Sequence, residues 1–289
     1  MTIKQALSRA REILVVNNIE DAPLESELLL RHALEMSRVK LYLELDQELS
    51  PQQDKDFWHL IKRRLRGEPI AYIAGHREFY GLDFYVDPNV LIPRPESELL
   101  LEKALELAQG RAVSTIAEVG TGCGAIAISL ALSLPQAKIY ATDISAAALK
   151  VTLFNCQKHR VVDRICLLEG DMLDPLLEPV DLIVANLPYV MESELSQVNT
   201  LAFEPYLALN GGSDGLEKIH QLCTRISGKL RPGGGLLLEI GQGQGRAVTT
   251  LLRSLFPSAE IEVTPDLSGI DRVVNLTLTT TAAKSESVC

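Results

Sequence analysis

The 289-residue chain has no apolar run that approaches the length needed to cross a bilayer. A transmembrane helix takes about 20 consecutive apolar residues. The first residues, MTIKQALSRAREIL, also lack the apolar segment and small-residue cleavage site of a signal peptide. Hydrophobic residues make up 46% of the chain, which is enough for the cores of one or two globular domains. We therefore expect a cytoplasmic protein without membrane contact.

Basic charge is also scarce, because 28 Lys and Arg residues face 38 Asp and Glu residues and the net charge is -10. Proteins that bind nucleic acid through its phosphates usually carry a basic surface. The balance disfavours a direct nucleic-acid partner. One basic run, 62–66, stands before Gly67. Cations followed by a glycine are typical of a helix C-terminus, and we favour that interpretation over a contact for an acidic partner or RNA.

Paired cysteines and clustered histidines are absent. The five cysteines include no C-x-x-C pair, and the five histidines include no H-x-H or H-E-x-x-H spacing. An odd number of cysteines without such spacing suits neither a disulfide framework nor a zinc site. We predict no metal site.

The N-terminal third has the apolar spacing of helices. Apolar residues recur at helical intervals through residues 1–75, and Ser50-Pro51 offers a capping serine before a proline at the first helical position. This pattern predicts a small helical domain. Residues 76–95 then place aromatic residues on both sides of Gly81, which predicts a β-hairpin linker.

Residues 96–280 alternate between strand-like and helix-like segments. Such alternation indicates an α/β domain, with a mostly parallel sheet and helices on both faces. The last residues, 281–289, are small and polar and predict a flexible tail. The predicted strands are 115–119, 138–142, 165–168, 181–185, 235–240 and 271–278.

A glycine-rich turn follows the first of these strands. Three glycines let the backbone turn sharply and approach a ligand closely, and open α/β sheets bind cofactors at the carboxyl ends of their strands. Taken alone, the turn could be a tight strand–helix connection. Cys123 is expected to be a small buried thiol. The cofactor-binding residues predicted here are Glu118, Gly120, Thr121, Gly122, Cys123 and Gly124.

Two acidic residues strengthen the prediction of a nucleoside site. Asp143 ends the second strand, where a carboxylate can accept both ribose hydroxyls. Asp171, beside Met172, follows the third strand and could accept from an adenine amino group. The alternatives are a helix N-cap for Asp143 and a turn residue for Asp171. The G-x-G-x-G spacing differs from the G-x-G-x-x-G of NAD sites and favours S-adenosyl-L-methionine.

The sequence Asn186-Leu187-Pro188-Tyr189 follows an apolar strand and predicts the reaction. An amide or aromatic amine is a poor nucleophile because its lone pair is delocalised. The Asn186 side-chain oxygen and the Leu187 carbonyl could accept hydrogen bonds from the two N–H groups of such an amide or amine. Tyr189 could stack on the flat face of the same group. Pro188 restricts the backbone of the loop. We predict that all four residues bind the substrate, that Asn186, Pro188 and Tyr189 are catalytic, and that Asn186 also binds the cofactor.

Three other interpretations stay open from these motifs. The four residues could form a plain loop, since Asn and Pro are common in turns. The same four residues could hold the amino group of adenine in an N6-adenine methyltransferase, although net charge -10 disfavours that substrate. A nucleoside-binding module without catalysis would have no need for Asn186 and Tyr189.

The chain resembles the release-factor glutamine N5-methyltransferase family (PrmC/HemK) over residues 5–280. The resemblance implies a substrate-binding helical domain, a hairpin and a Rossmann-like methyltransferase domain. It also implies that the cofactor is S-adenosyl-L-methionine and that the partner is a class I peptide chain release factor, methylated on the glutamine of its Gly-Gly-Gln motif. Besides the two motifs above, the matching segments are 67–73, 77–81, 91–98, 204–205, 208–216, 238–241 and 266–272.

Within this resemblance, Arg94 and Pro95 of the I-P-R-P-E-S-E stretch are assigned to substrate binding. The family usually has N-P-P-Y where this chain has Leu187, and a leucine still supplies the carbonyl that the argument needs. Cys123 stands where the family commonly has Ser or Thr. We expect a monomer.

Overall fold

The computed structural model describes residues 1–110, 113–195 and 202–279. These residues group into two compact units. The first contains Met1–His76 with 202–203, and the second contains the described residues from Arg77 onward apart from that pair. The predicted domain boundaries stay predictions, and the predicted tail, 281–289, lies outside the described residues.

The first unit is helical, as the spacing of its apolar residues predicts. Thr2 caps α1 (Ile3–Val16) and Ser50 caps α4 (Pro51–Leu65) with reciprocal capping boxes, and Pro51 occupies the first position of α4. One stripe of α1, including Ala6, Ala10 and Leu14, is fully buried in the core of this unit. The helices are α1 (Ile3–Val16), α2 (Ala22–Leu34), α3 (Arg38–Leu43), α4 (Pro51–Leu65) and α5 (Ile70–Ala74).

The basic run ends α4, which agrees with its interpretation as a helix C-terminus. Arg63 pairs with Glu68 at 2.5 Å, and Arg64 pairs with Glu25 at 2.6 Å. Gly67 follows with a φ of 93°, the left-handed conformation that favours glycine. Two of the basic side chains therefore have partners within their own unit.

The second unit begins with a hairpin and continues as an α/β sandwich. Strands β1 (His76–Phe79) and β2 (Leu82–Tyr85) pair as a two-stranded sheet, as predicted. The remaining strands are β3 (Thr115–Val119), β4 (Lys138–Asp143), β5 (Ile165–Glu169), β6 (Val180–Ala185), β7 (Leu230–Glu239), β8 (Glu260–Pro265) and β9 (Asp271–Thr277). The helices are α6 (Ser97–Gly110), α7 (Ala125–Ser133), α8 (Ala146–Lys158), α9 (Glu192–Leu195), α10 (Tyr206–Leu209), α11 (Glu217–Arg225) and α12 (Gly245–Leu255), with one turn of 3₁₀-helix at Val162–Arg164.

The seven-stranded sheet has the order β5-β4-β3-β6-β7-β9-β8 and confirms the predicted Rossmann-like class. Neighbours from β5 to β7 are parallel, whereas β9 is antiparallel to both β7 and β8. Strand β8, whose residues alternate between half-buried and exposed, was not predicted from the sequence. No helix among the described residues has both the length and the apolar character to cross a membrane.

The order of strands places a crevice at the carboxyl end of β3. The chain moves from β3 to β4 and β5 on one side and then returns to β6 on the other, which makes a topological switch point. Val119 of β3 is in register with Thr142 of β4 and Ala185 of β6. The residues that come next, among them Asp143 and Asn186, therefore lie at the same edge of the sheet.

Candidate active site

The glycine turn after β3 is held by side chains of α8. The Thr152 hydroxyl donates to the Gly122 carbonyl at 2.7 Å, and Asn155 Nδ2 donates to the Cys123 carbonyl at 2.8 Å. Asn155 also exchanges hydrogen bonds with the backbone of Tyr85, so it ties the turn to strand β2. Side chains of α8 therefore help to hold the shape of the turn through its carbonyls.

The glycines of the turn are needed for two different reasons. Gly120, Gly122 and Gly124 all have positive φ, which disfavours any residue with a Cβ atom. A Cβ on Gly124 would lie 2.7 Å from Cγ2 of Thr152, whereas a Cβ on Gly122 would meet no atom within 4 Å. Gly124 thus permits close helix packing, and Gly122 leaves room for a ligand to approach the backbone.

Glu118 is a buried carboxyl beneath this turn. Its Oε2 accepts from the Thr121 hydroxyl at 2.6 Å and from the Ala127 N–H at 3.0 Å. Burial, with a smaller contribution from the charge of Asp143, raises the pKa of Glu118 to about 8, although the two hydrogen bonds act to lower it. Burial also raises the pKa of the Cys123 thiol to about 12, which fits the inert buried thiol expected there.

A cleft of about 850 Å³, including its open mouth, lies over this edge of the sheet. A smaller cleft of about 440 Å³ adjoins it and shares Gly120, Gly122 and Asn186 as lining residues. The predicted residues that line the larger cleft are Gly120, Gly122, Asp143, Asp171, Met172, Asn186, Leu187 and Pro188. Those that line only the smaller one are Glu118, Thr121, Cys123 and Arg94, while Gly124, Pro95 and Tyr189 line neither.

Asp143 projects from the end of β4 and is positioned by backbone N–H groups. Its Oδ2 accepts from Gly122 N and its Oδ1 accepts from Ser145 N, both at 2.9 Å. Ser145, and not Asp143, caps α8, since the Ser145 hydroxyl accepts from Ala148 N. Burial raises the pKa of Asp143, although these N–H bonds oppose the rise. Each oxygen keeps a lone pair for a further donor.

Asp171 lines the cleft but is not free. Its Oδ2 pairs with Arg225 of α11 at 2.7 Å, which leaves Oδ1 for a ligand. Met172 next to it is buried and has a φ of 51°, a left-handed conformation that is uncommon for a non-glycine residue. The Thr142 hydroxyl donates to the Met172 carbonyl at 2.9 Å and holds this conformation.

The loop Asn186–Tyr189 contributes Asn186, Leu187 and Pro188 to the lining of the larger cleft. Asn186 Nδ2 donates to the Ser97 hydroxyl at 2.8 Å. Within the part of the chain that the structure describes, neither Asn186 Oδ1 nor the Leu187 carbonyl accepts a hydrogen bond. The Leu187 side chain is buried in the core under the sheet and lies against Gly120. The leucine that replaces the usual proline therefore anchors the loop by packing.

Tyr189 is anchored at both ends. Its hydroxyl donates to Glu239 Oε1 at 3.1 Å, and its carbonyl accepts from Gln244 Nε2 at 3.2 Å. Burial, followed by the adjacent charge of Glu239, raises the pKa of the Tyr189 phenol, so it stays protonated at neutral pH. The ring lies against Gly241, where a Cβ would approach Tyr189 Cδ2 to 3.0 Å.

The G-G-S-D-G-L segment supports this loop from beneath. Gly211 N donates to the Val190 carbonyl at 2.8 Å. A Cβ on Gly211 would lie 2.7 Å from Tyr189 Cα and 2.9 Å from the Pro188 carbonyl oxygen. A Cβ on Gly215 would lie 2.5 Å from the Tyr189 carbonyl oxygen. Only glycine allows these two backbones to approach so closely.

Arg94 forms an ion pair and does not project freely. Its guanidinium contacts the buried carboxylate of Glu204, which also accepts from Ile92 N at 3.3 Å. This contact joins the I-P-R-P-E stretch to the Glu204-Pro205 stretch. Arg94 reaches the smaller cleft from this position, so its predicted role in substrate binding stays a prediction.

Several residues with a part in this site were not singled out from the sequence. Ser97, Gly211 and Glu239 lie inside segments that carry the family resemblance, and that was the signal available for them. Thr152 and Asn155 had no such signal, because a polar residue on a predicted helix does not reveal which carbonyl it will reach.

Comparison with known proteins agrees with this fold. Residues 5–75 match the model of the PrmC N-terminal domain, and residues 95–203 match that of the methyltransferase small domain. A solved structure of the hMettl16 catalytic domain in complex with the MAT2A 3′UTR hairpin 6 matches 72% of this chain and 78% of that chain. Its TM-score is 0.57 at 15% identity, so it shares the fold.

Curated relatives match almost the whole chain. The release factor glutamine methyltransferase of Moorella thermoacetica is 45% identical over 94% of this chain and 97% of its own length. That of Koribacter versatilis is 39% identical over 95% of this chain and 98% of its own length. Identity at this level over both domains shows that the chain belongs to the family of release factor glutamine methyltransferases.

Proposed function

We propose that this enzyme transfers a methyl group from S-adenosyl-L-methionine to the side-chain amide nitrogen (N5) of the glutamine in the Gly-Gly-Gln motif of class I peptide chain release factors. The observation that carries the proposal is the pair of acceptors, Asn186 Oδ1 and the Leu187 carbonyl, which have no partner among the described residues. A primary amide presents two N–H donors from one nitrogen. The names of the relatives supply the release factor as the substrate.

The larger cleft has the residues that this cofactor needs. S-adenosyl-L-methionine supplies an electrophilic methyl group on a sulfonium centre. Gly122 leaves open space at its Cβ position, so the turn can lie directly against the ligand. We assign the ribose hydroxyls to Asp143 and the adenine to Asp171 and Met172. Glu118, Thr121 and Cys123, in the smaller cleft, are assigned to the opposite end of the cofactor.

Asn186 and Leu187 can make an amide nitrogen a better nucleophile. The amide lone pair is delocalised into the carbonyl, which makes the nitrogen a poor nucleophile. Two acceptors that bind the two N–H groups favour a pyramidal nitrogen, on which the lone pair is localised. Asn186 and Leu187 provide these acceptors. Their loop is fixed by the hydrogen bond to Ser97, by the buried Leu187 side chain and by the close packing of Gly211. Because both acceptors are in place before the substrate arrives, little reorganisation is needed in the transition state.

Tyr189 and Pro188 are assigned to positioning the substrate and the loop, and not to acid–base chemistry. Hydrogen bonds at the hydroxyl and at the main-chain carbonyl of Tyr189 hold the ring where it can pack on a planar group. Its raised pKa keeps the phenol neutral, so it does not act as a base at neutral pH. Pro188 limits the backbone of the loop. The nitrogen proton is lost after the amide has been methylated, so no strong base is required.

One assay tests the proposal against its nearest alternative, an N6-adenine methyltransferase. Purified enzyme is given S-adenosyl-L-methionine labelled on the methyl group, together with a class I release factor, the same factor with Gln→Ala in its Gly-Gly-Gln motif, or nucleic acid. We expect label on the unmodified factor alone. Label on nucleic acid, or equal label on the factor and its Gln→Ala variant, would overturn the proposal.

A further inference from the structure

One side chain, Gln244, forms hydrogen bonds with three separate segments around the proposed amide site. Its Nε2 donates to the Tyr189 carbonyl at 3.2 Å and to the Gly215 carbonyl at 3.1 Å, and its Oε1 accepts from Gly241 N at 2.8 Å. These partners belong to the loop after β6, the G-G-S-D-G-L segment and the turn after β7. Gln244 lines neither cleft, so any effect on the site would pass through these partners.

The amide of Gln244 matches its three partners atom by atom. A glutamine amide has two N–H donors on its nitrogen and an acceptor oxygen. Two carbonyls face the nitrogen and one N–H faces the oxygen, so both donors are used. The opposite orientation of the amide would place oxygen against oxygen. Asparagine carries the same groups on a shorter side chain, and an ionised glutamate has no donor.

Two glycines leave the space that this amide occupies. A Cβ on Gly215 would lie 2.8 Å from Gln244 Nε2, and a Cβ on Gly241 would lie 3.2 Å from Gln244 Oε1. The main chain of Gln244 is also fixed, because its carbonyl accepts from Val248 N at 3.0 Å in the first turn of α12. Val248 is buried in the core beside the sheet. A packed helix therefore carries the amide that holds the loop after β6.

The loop after β6 has few freely rotating bonds between its two attachments. Asn186 is held through its side chain at one end, and the Tyr189 carbonyl is held by Gln244 at the other. Between them, Pro188 fixes its own φ and restricts the residue before it to extended conformations. The group that holds the Tyr189 carbonyl therefore also limits the direction of the Leu187 carbonyl.

We propose that Gln244 is a positioning residue for methyl transfer. By holding the Tyr189 carbonyl against the G-G-S-D-G-L segment, its amide keeps Asn186 Oδ1 and the Leu187 carbonyl in place for the amide of the substrate. This inference rests on the proposed function. Because Gln244 lies outside both clefts, its loss should slow the transfer and leave the affinity for the cofactor unchanged.

The test compares Gln244→Met with the wild type in single-turnover methyl transfer to a class I release factor at saturating concentration. Methionine has a similar length and volume but cannot donate to either carbonyl. We expect the rate to fall by about tenfold, the scale of one or two hydrogen bonds. Calorimetry should show unchanged affinity for S-adenosyl-L-homocysteine. Gln242→Met is the matched control, because Gln242 is exposed in the same loop, and it should keep the wild-type rate.

Gln244→Asn provides a second arm that keeps the amide. Its side chain is one methylene shorter and cannot reach all three partners at once, so its rate should lie between those of the wild type and Gln244→Met. All rates are measured well below the unfolding temperature of each variant, so that a lower stability does not reduce them. A rate for Gln244→Asn below that of Gln244→Met would overturn the inference, since filling the space would then matter more than hydrogen bonding.

A double-mutant cycle with Asn186→Ala distinguishes positioning from a general structural role. If Gln244 acts by placing the two acceptors, its substitution should cost less when one acceptor is already missing. We therefore expect Gln244→Met to slow the Asn186→Ala variant by a smaller factor than it slows the wild type. Equal factors in the two backgrounds would overturn the inference, because a merely structural role predicts that result.

The outcomes separate this inference from the proposed function. If the wild-type enzyme does not methylate the release factor at its glutamine, the proposed function fails. If the wild type is active and Gln244→Met transfers the methyl group at the same rate, the inference fails alone. A loss of cofactor affinity as large as the loss of rate would also overturn it, since Gln244 would then support the cofactor site.

Discussion

The two loops that meet at the cleft are made rigid in opposite ways. The glycine turn presents its backbone, and side chains of α8, Thr152 and Asn155, hold its carbonyls. The loop Asn186–Tyr189 presents side chains and a carbonyl, and it is the backbone of Gly211 and Gly215 that packs beneath it. The glycine turn offers its backbone to a ligand, so the side chains that support it come from another element. The loop Asn186–Tyr189 offers its side chains to a ligand, so its support comes from closely packed backbone.

This difference predicts that the two loops can be damaged separately. A change in the glycine turn or in Asp143 should affect binding of the cofactor first. A change in the loop after β6 should affect the rate of transfer while the cofactor still binds. A variant that impairs cofactor affinity and transfer rate equally would count against this separation.

The largest effect is expected for Asn186→Ala. It removes one of the two acceptors for the substrate amide, and loss of one preorganised polar contact of this kind costs ~10²–10³-fold in rate. Single-turnover transfer to a release factor measures the rate, and calorimetry measures the affinity for S-adenosyl-L-homocysteine. An unchanged rate would remove Asn186 from the chemistry. A loss of cofactor affinity as large as the loss of rate would deny the separation of the loops.

Asp143→Ala should have the next largest effect, on the cofactor alone. Hydrogen bonds to a charged group contribute about 1.5–3 kcal/mol, and the variant should lose cofactor affinity on that scale. Asp143→Asn is the matched control, because it keeps one oxygen for Gly122 N or Ser145 N and should lose less. Unchanged affinity in Asp143→Ala would exclude Asp143 from the cofactor site.

Gly211→Ala should disturb the loop after β6 through its support. The new Cβ would lie within 3 Å of three backbone atoms, which belong to Pro188, Tyr189 and Gly215. Such overpacking typically costs about 1–3 kcal/mol, seen as a lower free energy of unfolding together with slower transfer. Gly110→Ala is the control, since its Cβ would meet no atom within 4 Å. If both variants have wild-type rates, the close packing at Gly211 is not needed.

The local signals in the sequence predicted the fold and the main loops well. These signals are the alternation of strand and helix patterns, the glycines after a strand, and the acidic residue at the end of the next strand. Each can be recognised within a short continuous stretch of the sequence. The register of β3 with β4 and β6 then brings Gly120, Asp143 and Asn186 to one edge, which a sequence pattern can anticipate.

The long-range polar contacts could not be predicted in the same way. The bond from Asn186 to Ser97 spans 89 positions, and the bond from Tyr189 to Glu239 spans 50. Which buried hydroxyl meets which carboxylate depends on how α6 packs over the sheet, and periodicity does not specify that. The ion pair of Asp171 with Arg225 was missed for the same reason. Strand β8 was missed although its residues alternate, because half of them are polar.

The smallest effect expected concerns the pH dependence of the glycine turn. The pKa of Glu118 is about 8 in the folded protein, and that of an unfolded glutamate is near 4.5. Between these values the folded state holds a proton that the unfolded state has released, so the stability of the wild type falls as the pH rises toward 8. Glu118→Gln cannot lose a proton and should gain about 1 kcal/mol relative to the wild type between pH 7 and 8.

Chemical denaturation across that pH range measures the difference, which should level off above the pKa of the carboxyl. A difference that is flat from pH 5 to 9 would mean that Glu118 is ionised in the folded state throughout. The Tyr189 phenol should not contribute to this dependence, because its pKa is raised and it stays neutral over the same range.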